Sequence, residues 1–504
     1  MLSSFRVLVT CHPKRSKSAI FAQERYSMQI NRPLLTLISV FFFWGFVAAS
    51  NGILIPVYKE KLQLLQWQVQ LIDVAFYVAY TVGSLIYILI SKLTGGDLLN
   101  KLGYKNGISL GLMISAFGAV LFYPAAELES FGVMLTALFI VALGFSLQQT
   151  AANPLAIVMG DPNKGSQRLS LAGGINNIGT TVGPLLVSFA IFGSMHGDSS
   201  TMDISSVKIP YLILGAAFVL VAILFRFSSI PNHIEEARSK TEHDANWKDL
   251  GGALKYPQLV LGMIAIFLYV GVEVSTAANL PEFMRIHTGT EASKVAPYVS
   301  LFWASLMIGR WTSSVGTFTS NSKVKLLLNV VIPYAAFGFF LAVNYIAGTD
   351  VSEFYIYTAV IAALIVADIL SKGNPAMQLM IFSFAGIIAL ITGIFADGMV
   401  SAYAFISVGL FCSTLWPCIF TLAITGLGKY TNTGSGYLIM MIMGGGIVSF
   451  TQGALSDMLP NGIQNSYWVG VFCFAYLAWY AFKSKSVLAS QGIEFNRSEP
   501  ASGH

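Results

Sequence analysis

Two acidic residues stand where a lipid-embedded chain rarely keeps an acid without a use for it. Glu273 lies deep inside an apolar run, in YVGVEVST (269–276), with Thr276 close by and Asn279 beyond. Asp73 lies in LIDVAFY (71–77), and at helical spacing it shares a face with Phe76, Tyr77 and Tyr80. A carboxylate at the centre of a bilayer costs roughly 2.5 to 3.5 kcal/mol on insertion scales, so such groups usually bind or move something. The structural alternatives are an interfacial Asp73 that caps its helix and a protonated Glu273 that bonds a neighbouring helix.

Uncharged polar pairs accompany these acids. Gln149 and Asn153 are one helical turn apart, as are Asn176 and Thr180, so each pair presents donors and acceptors on one face. A carboxamide offers both functions to a ring hydroxyl without the charge that makes an empty cavity costly. The alternative role is interhelical bonding worth about 0.6 kcal/mol. Trp44 and Asn51 share a further run, and Trp303 and Trp416 lie in the second half. An indole can cover the apolar face of a pyranose, although most membrane tryptophans pack or anchor. Arg310 is expected at a cytoplasmic helix end, without a substrate role.

The elements that must hold these residues follow from composition. Of 504 residues 55% are hydrophobic and 11% charged, against roughly 25% charged in soluble domains. So much apolar surface must face lipid, which makes the chain an all-α integral membrane protein. Runs of bilayer-spanning length predict six spans over 33–228, a polar cytoplasmic linker over 229–257 and eight more spans over 258–484, about fourteen in all. Residues 1–32 form a basic cytoplasmic tail in which Met28 is an alternative start, and 485–504 form a cytoplasmic carboxyl tail. Lys92, Lys101, Lys105, Lys164 and Arg168 fall on the side of that tail, as the positive-inside rule requires. The net charge of +5 is therefore an orientation signal, and no nucleic-acid partner is expected. Four cysteines without CxxC spacing and six histidines in polar segments or at segment edges give no disulfide framework or intramembrane metal site. A membrane-embedded enzyme or receptor would need clustered catalytic residues or a large soluble domain, and neither is present.

The two halves echo each other. Ala152-Asn153-Pro154 precedes a glycine-rich segment ending at Gly183-Pro184, and Leu415-Trp416-Pro417 precedes another that reaches Gly444-Gly445-Gly446. Such internal similarity marks transporters whose substrate site lies at the repeat interface.

Three stretches carry a family resemblance: WGFVAASNGILIP (44–56), QTAANP (149–154) and GGGIV (444–448). With YVGVEV (269–274), they make the chain similar, from about Arg32 to Phe482, to the fucose permease branch of the major facilitator superfamily, which includes glucose/galactose transporters. The resemblance implies two six-helix bundles around a central sugar site that opens alternately to each side, usually with a co-transported cation. The residues expected to contact substrate are Gln149, Asn153, Asn176, Tyr77, Trp44, Asn51, Asn279 and Trp416, among which Asn176 keeps the asparagine of the family's fifth helix.

The chain departs from the pattern in three places. Gly52 and Gln149 stand where the pattern has acids. Asp73 and Glu273 fall where it has glutamine, so they are the expected carriers of cation coupling. The twelve-helix core gains a hairpin over 324–371, expected to pack on the periphery as a membrane anchor. The expected function is uptake of a hexose or deoxyhexose by a monomer in a bacterial inner membrane, with both termini cytoplasmic. No cofactor is expected beyond a co-transported proton or sodium ion. The alternative is uncoupled facilitation, or export of another small solute.

Overall fold

The computed structural model describes residues 32–63, 66–94, 97–192, 208–230, 232, 250–290, 292–319 and 321–493. Nearly all of the expected amino-terminal tail, most of the linker and residues 494–504 lie outside the described residues, as do the side chains of Asn51 and Asp73. The regular structure among the described residues is helical.

The first half contains α1 (Arg32–Lys61), α2 (Gln66–Leu93), α3 (Tyr104–Glu127), α4 (Phe131–Val158), α5 (Gly165–Phe192) and α6 (Lys208–Phe227). The second contains α7 (Pro257–Phe283), α8 (Ala292–Phe318), α9 (Ser322–Ile346), α10 (Tyr357–Ser371) and α11 (Pro375–Phe395). It continues through α12 (Gly398–Cys412), α13 (Leu415–Ile424), α14 (Thr431–Met440), α15 (Gly444–Met458) and α16 (Trp468–Ser490).

Among the described residues ten helices, some joining two of these elements, are long and apolar enough to cross a membrane. Among the other long helices, α5 and α8 are more polar because they turn buried polar groups inward, including Ser170 and Asn177 on α5 and Arg310 and Ser313 on α8. Leu89, Phe117, Leu220, Ile388 and Phe472 are exposed on outer faces, where lipid would cover them.

Helix starts follow local chemistry. Ser130, Asn321 and Asn374 accept backbone N–H bonds at the starts of α4, α9 and α11, and Pro257 and Pro375 begin their helices where a missing N–H costs nothing. In the first half α1 packs on α5, and α3 packs on both α4 and α6. A Cβ at Gly111 would lie 2.7 Å from the Gly144 carbonyl, so α3 and α4 meet nearly backbone to backbone.

Several helices carry an internal proline, and two prolines free carbonyls that other side chains then use. Pro154 cannot bond the Thr150 carbonyl, and Pro417 cannot bond that of Ser413, where the chain breaks between α12 and α13. These are the prolines of the two sequence echoes.

Three boundaries differ from the sequence reading. The polar linker gives way at 250–255 to a 3-10 turn whose Ala253 is fully buried. The apolar run over 398–427, one of the eight spans expected over 258–484, is two helices, α12 and α13. Helix α16 continues through Lys483 and Lys485 to Ser490, because Ser484 and Leu488 are buried in it. The inserted hairpin, α9 and α10, is bonded to the bundle: Tyr357 and Ser305 hydroxyls meet at 2.8 Å, and Gln378 of α11 donates to Asp368 of α10 at 2.9 Å.

Candidate functional site

Tyr269 and Glu273 are one turn apart on α7, and the Tyr269 hydroxyl donates to the Glu273 carboxylate. Arg310 of α8 enters the same space. Its Nη2 lies 3.8 Å from Glu273 Oε2 and donates to the Tyr269 hydroxyl at 3.3 Å. Its Nη1 crosses to the first half, donating to Asn177 Oδ1 at 2.9 Å and to the Gly173 carbonyl at 3.4 Å. Its Nε donates to the Ser413 carbonyl at 3.1 Å, the group that Pro417 leaves free.

The expectation that Arg310 marks a cytoplasmic helix end is therefore corrected. The residue is 9% exposed and sits between the halves. A guanidinium is tolerated there because one acid and four oxygen acceptors surround it. Small residues admit it: a Cβ at Gly173 would lie 3.0 Å from Arg310 Cδ. Trp416, half-buried just after the break before α13, turns its ring toward Tyr269, with centroids 6.2 Å apart.

On the first half, half-buried Gln149 donates to the Tyr80 hydroxyl at 3.0 Å. Asn153, one turn further along α4, is 1% exposed, and neither atom of its carboxamide has a hydrogen-bond partner among the described residues. Asn176 donates to the Phe41 carbonyl at 3.0 Å. Thr180, one turn beyond Asn176, donates to the Asn177 carbonyl. Asn177 and Tyr269, which the sequence reading did not single out, are the groups that meet Arg310.

The remaining candidates are more dispersed. Trp44 is 4% exposed and gives its indole N–H to Gln148 at 2.9 Å, so it is packed inside the first half. Half-buried Tyr77 lies against the glycine stretch of the other half, where a Cβ at Gly445 would come within 3.0 Å of it. Asn279 donates back to the Ser275 carbonyl at 2.8 Å. Trp303 stands edge-on to Phe302.

Hydrogen bonds also join the halves from this level down to the end of the molecule that carries Lys101, Lys105 and Lys429. Thr81 donates to the Met440 carbonyl, Ser435 to that of Thr150, and Asn432 to Asp97 and Asn100, while Tyr104 bonds Asn432. The arrangement places a compensated ion pair and several carboxamides at the junction of two bundles. Such a junction can exchange its hydrogen bonds for those of a polyhydroxy solute.

The Major Facilitator Superfamily model matches residues 36–450. The glucose/galactose transporter of Brucella abortus is 32% identical over 449 residues, 89% of this chain and 92% of that one. The L-fucose-proton symporter of Escherichia coli K12 is 28% identical, covering 90% of this chain and 93% of its own. A crystal structure of the transporter FucP in the outward conformation aligns with a TM-score of 0.69 at 26% identity, covering 91% and 99% of the two chains. The resemblance read from the sequence motifs and the observed helical architecture thus agree: the chain is a membrane transporter rather than an enzyme, and it belongs to the Major Facilitator Superfamily, beside the glucose/galactose transporters and fucose permeases.

Proposed function

We propose that this protein takes up a hexose or deoxyhexose, glucose/galactose or fucose, by alternating access with a co-transported proton or sodium ion. The observation that carries the reading is Arg310, which holds Glu273 of its own half while bonding Asn177 of the other. A cation arriving at Glu273 neutralises the acid and weakens its hold on Arg310, so ion binding acts directly on the contact between the halves. Sugar hydroxyls would then be met by Gln149, Asn153 and Asn176, with Trp416 on the opposite wall.

The coupling is energetically sufficient with one charge. Membrane potential contributes about 2.3 kcal/mol per charge per 100 mV, and each tenfold of accumulation requires about 1.4 kcal/mol. One cation therefore supports roughly 40-fold uptake.

In this reading α1, α5, α8 and α16 cross the bilayer with the ten apolar spans, making fourteen, and the protein works as a monomer without a cofactor. The lysine-rich end faces the cytoplasm of a bacterial inner membrane, with both termini on that side. The inter-half hydrogen bonds then close the cytoplasmic side, as in an outward-facing state.

The test is counterflow in proteoliposomes with fucose, glucose, galactose, mannose and an amino-acid control, repeated under sodium and pH gradients. Exchange of at least one sugar, with accumulation under one gradient, is expected. Exchange of none of the sugars overturns the substrate assignment. A second reading, uncoupled facilitation, is favoured by the compensation of Glu273 by Arg310 and by the absence of acids at Gly52 and Gln149. It predicts exchange without accumulation under either gradient.

A further inference from the structure

A cavity of about 1600 Å3 lies away from the Glu273 level, at the lysine-rich end, where the inserted hairpin meets the bundle. Its walls come from the starts of α5, α9 and α11, the ends of α8, α10 and α16, and the turn before α5. Four lysines, Lys164, Lys325, Lys372 and Lys485, line it against two acids, Asp161 and Asp368, leaving an excess of two positive charges.

Two further wall residues call for a ligand of a particular kind. Gln167 is 6% exposed and Asn329 4% exposed, and Gln167 Oε1 and Asn329 Oδ1 have no hydrogen-bond donor among the described residues. Buried acceptors of this sort are costly until a donor reaches them. A bare phosphate would satisfy the lysines but offers little to these carbonyls. A phosphate ester bearing hydroxyls answers both needs.

The rim indicates where such an ester would come from. Leu326, Leu370, Met377 and Phe482 line the same cavity and are exposed on lipid-facing helices, so the cavity opens toward acyl chains. Basic pockets between helices on the cytoplasmic side are sites for acidic lipid headgroups.

We propose that the inserted hairpin and the bundle together form a binding site for an acidic, hydroxyl-bearing phospholipid, phosphatidylglycerol by its chemistry. The phosphodiester lies among the lysines, the glycerol hydroxyls donate to Gln167 and Asn329, and the acyl chains lie along Leu326, Leu370, Met377 and Phe482. The hairpin then does more than anchor the chain, because it supplies Lys325, Asn329 and Lys372 to the site.

The experiment is native mass spectrometry of the full chain from nanodiscs holding equal amounts of phosphatidylglycerol and phosphatidylethanolamine, with glycerol 3-phosphate as a soluble competitor. Wild type is expected to retain phosphatidylglycerol selectively. Each lysine near a headgroup contributes about fivefold in affinity, so Lys372→Gln with Lys485→Gln, both on exposed side chains, should reduce retention about 25-fold. Equal retention of the two lipids by wild type, or unchanged retention by the double variant, overturns the proposal. Displacement of the lipid by millimolar glycerol 3-phosphate overturns the lipid assignment in favour of a soluble ester. The readout needs no sugar transport, so its failure is separable from failure of the transport reading.

Discussion

Ser435 of the second half donates its hydroxyl, at 2.9 Å, to the Thr150 carbonyl of the first. That carbonyl is available because Pro154 cannot bond it within α4. The helix irregularity thus supplies the acceptor that joins the halves, and losing the hydroxyl should favour separation. Ser435→Ala is expected to cost about 1 kcal/mol, a roughly fivefold shift toward the state in which the lysine-rich end is open. Spin labels at Lys101→Cys and Lys429→Cys, one in each half, read that shift as a longer distance population. An unchanged distribution would mean the bond contributes nothing to closure.

Acid at the connection between α2 and α3 should strengthen the same closure. Asp97 is 1% exposed and accepts bonds from the Leu99 and Asn100 amides, the Tyr87 hydroxyl and Asn432. Burial nevertheless outweighs these donors and raises its carboxyl above the ordinary 3.8. The closed state therefore binds the proton more tightly than an open state that wets Asp97. Closure is favoured most below 3.8 and weakens as pH rises through the raised value. The spin-label pair should show this trend, and Asp97→Asn should abolish it. A variant that keeps the wild-type pH dependence would assign it to another group.

Much of this architecture is legible in one sequence because lipid imposes a coarse rule. Every span must be long and apolar, so the hairpin expected over 324–371 becomes α9 and α10, covering Ser322–Ser371 with their short connection. The acid at Glu273 is legible for the same reason. Arg310 was misplaced because an arginine after an apolar run more often marks a helix end than the interior. Only three-dimensional packing reveals Asn177, Tyr269 and the carbonyl freed by Pro417 around it. Trp44 shows the converse limit, since its spacing from Asn51 gives no hint that Gln148 takes its indole N–H. Adjacent carboxamides on α4 take different partners, Gln148 bonding Trp44 and Ser115 and Gln149 bonding Tyr80, and sequence spacing alone does not sort them.

Glu273→Gln separates coupling from transport. Glutamine retains an oxygen acceptor for the Tyr269 hydroxyl but carries no charge for a cation to neutralise. Accumulation under the gradient that drives wild type should fall from roughly 40-fold toward equality, while counterflow persists. Arg310→Ala should behave differently, because it leaves Glu273 buried without its cation, at a cost of about 3 to 5 kcal/mol. That variant is expected to lose thermal stability as well as transport. Full accumulation by Glu273→Gln would move coupling away from this acid, and Asp73→Asn is then the variant to measure.

Asn153 allows a substrate contact to be distinguished from a structural bond. Its side chain is 1% exposed, and no described residue bonds its carboxamide, so the polar group contributes desolvation cost without compensation from the protein. Asn153→Leu, close in volume, should therefore leave the melting temperature unchanged or raise it. If sugar hydroxyls supply the missing partners, the same substitution should raise KM for sugar about tenfold, the loss of roughly 1.4 kcal/mol in hydrogen bonding. Gln149→Leu gives the contrast: it breaks the bond to Tyr80 and should lower stability together with affinity. A destabilised Asn153→Leu with unaltered KM would place this carboxamide in the packing of α4 and remove it from the sugar site.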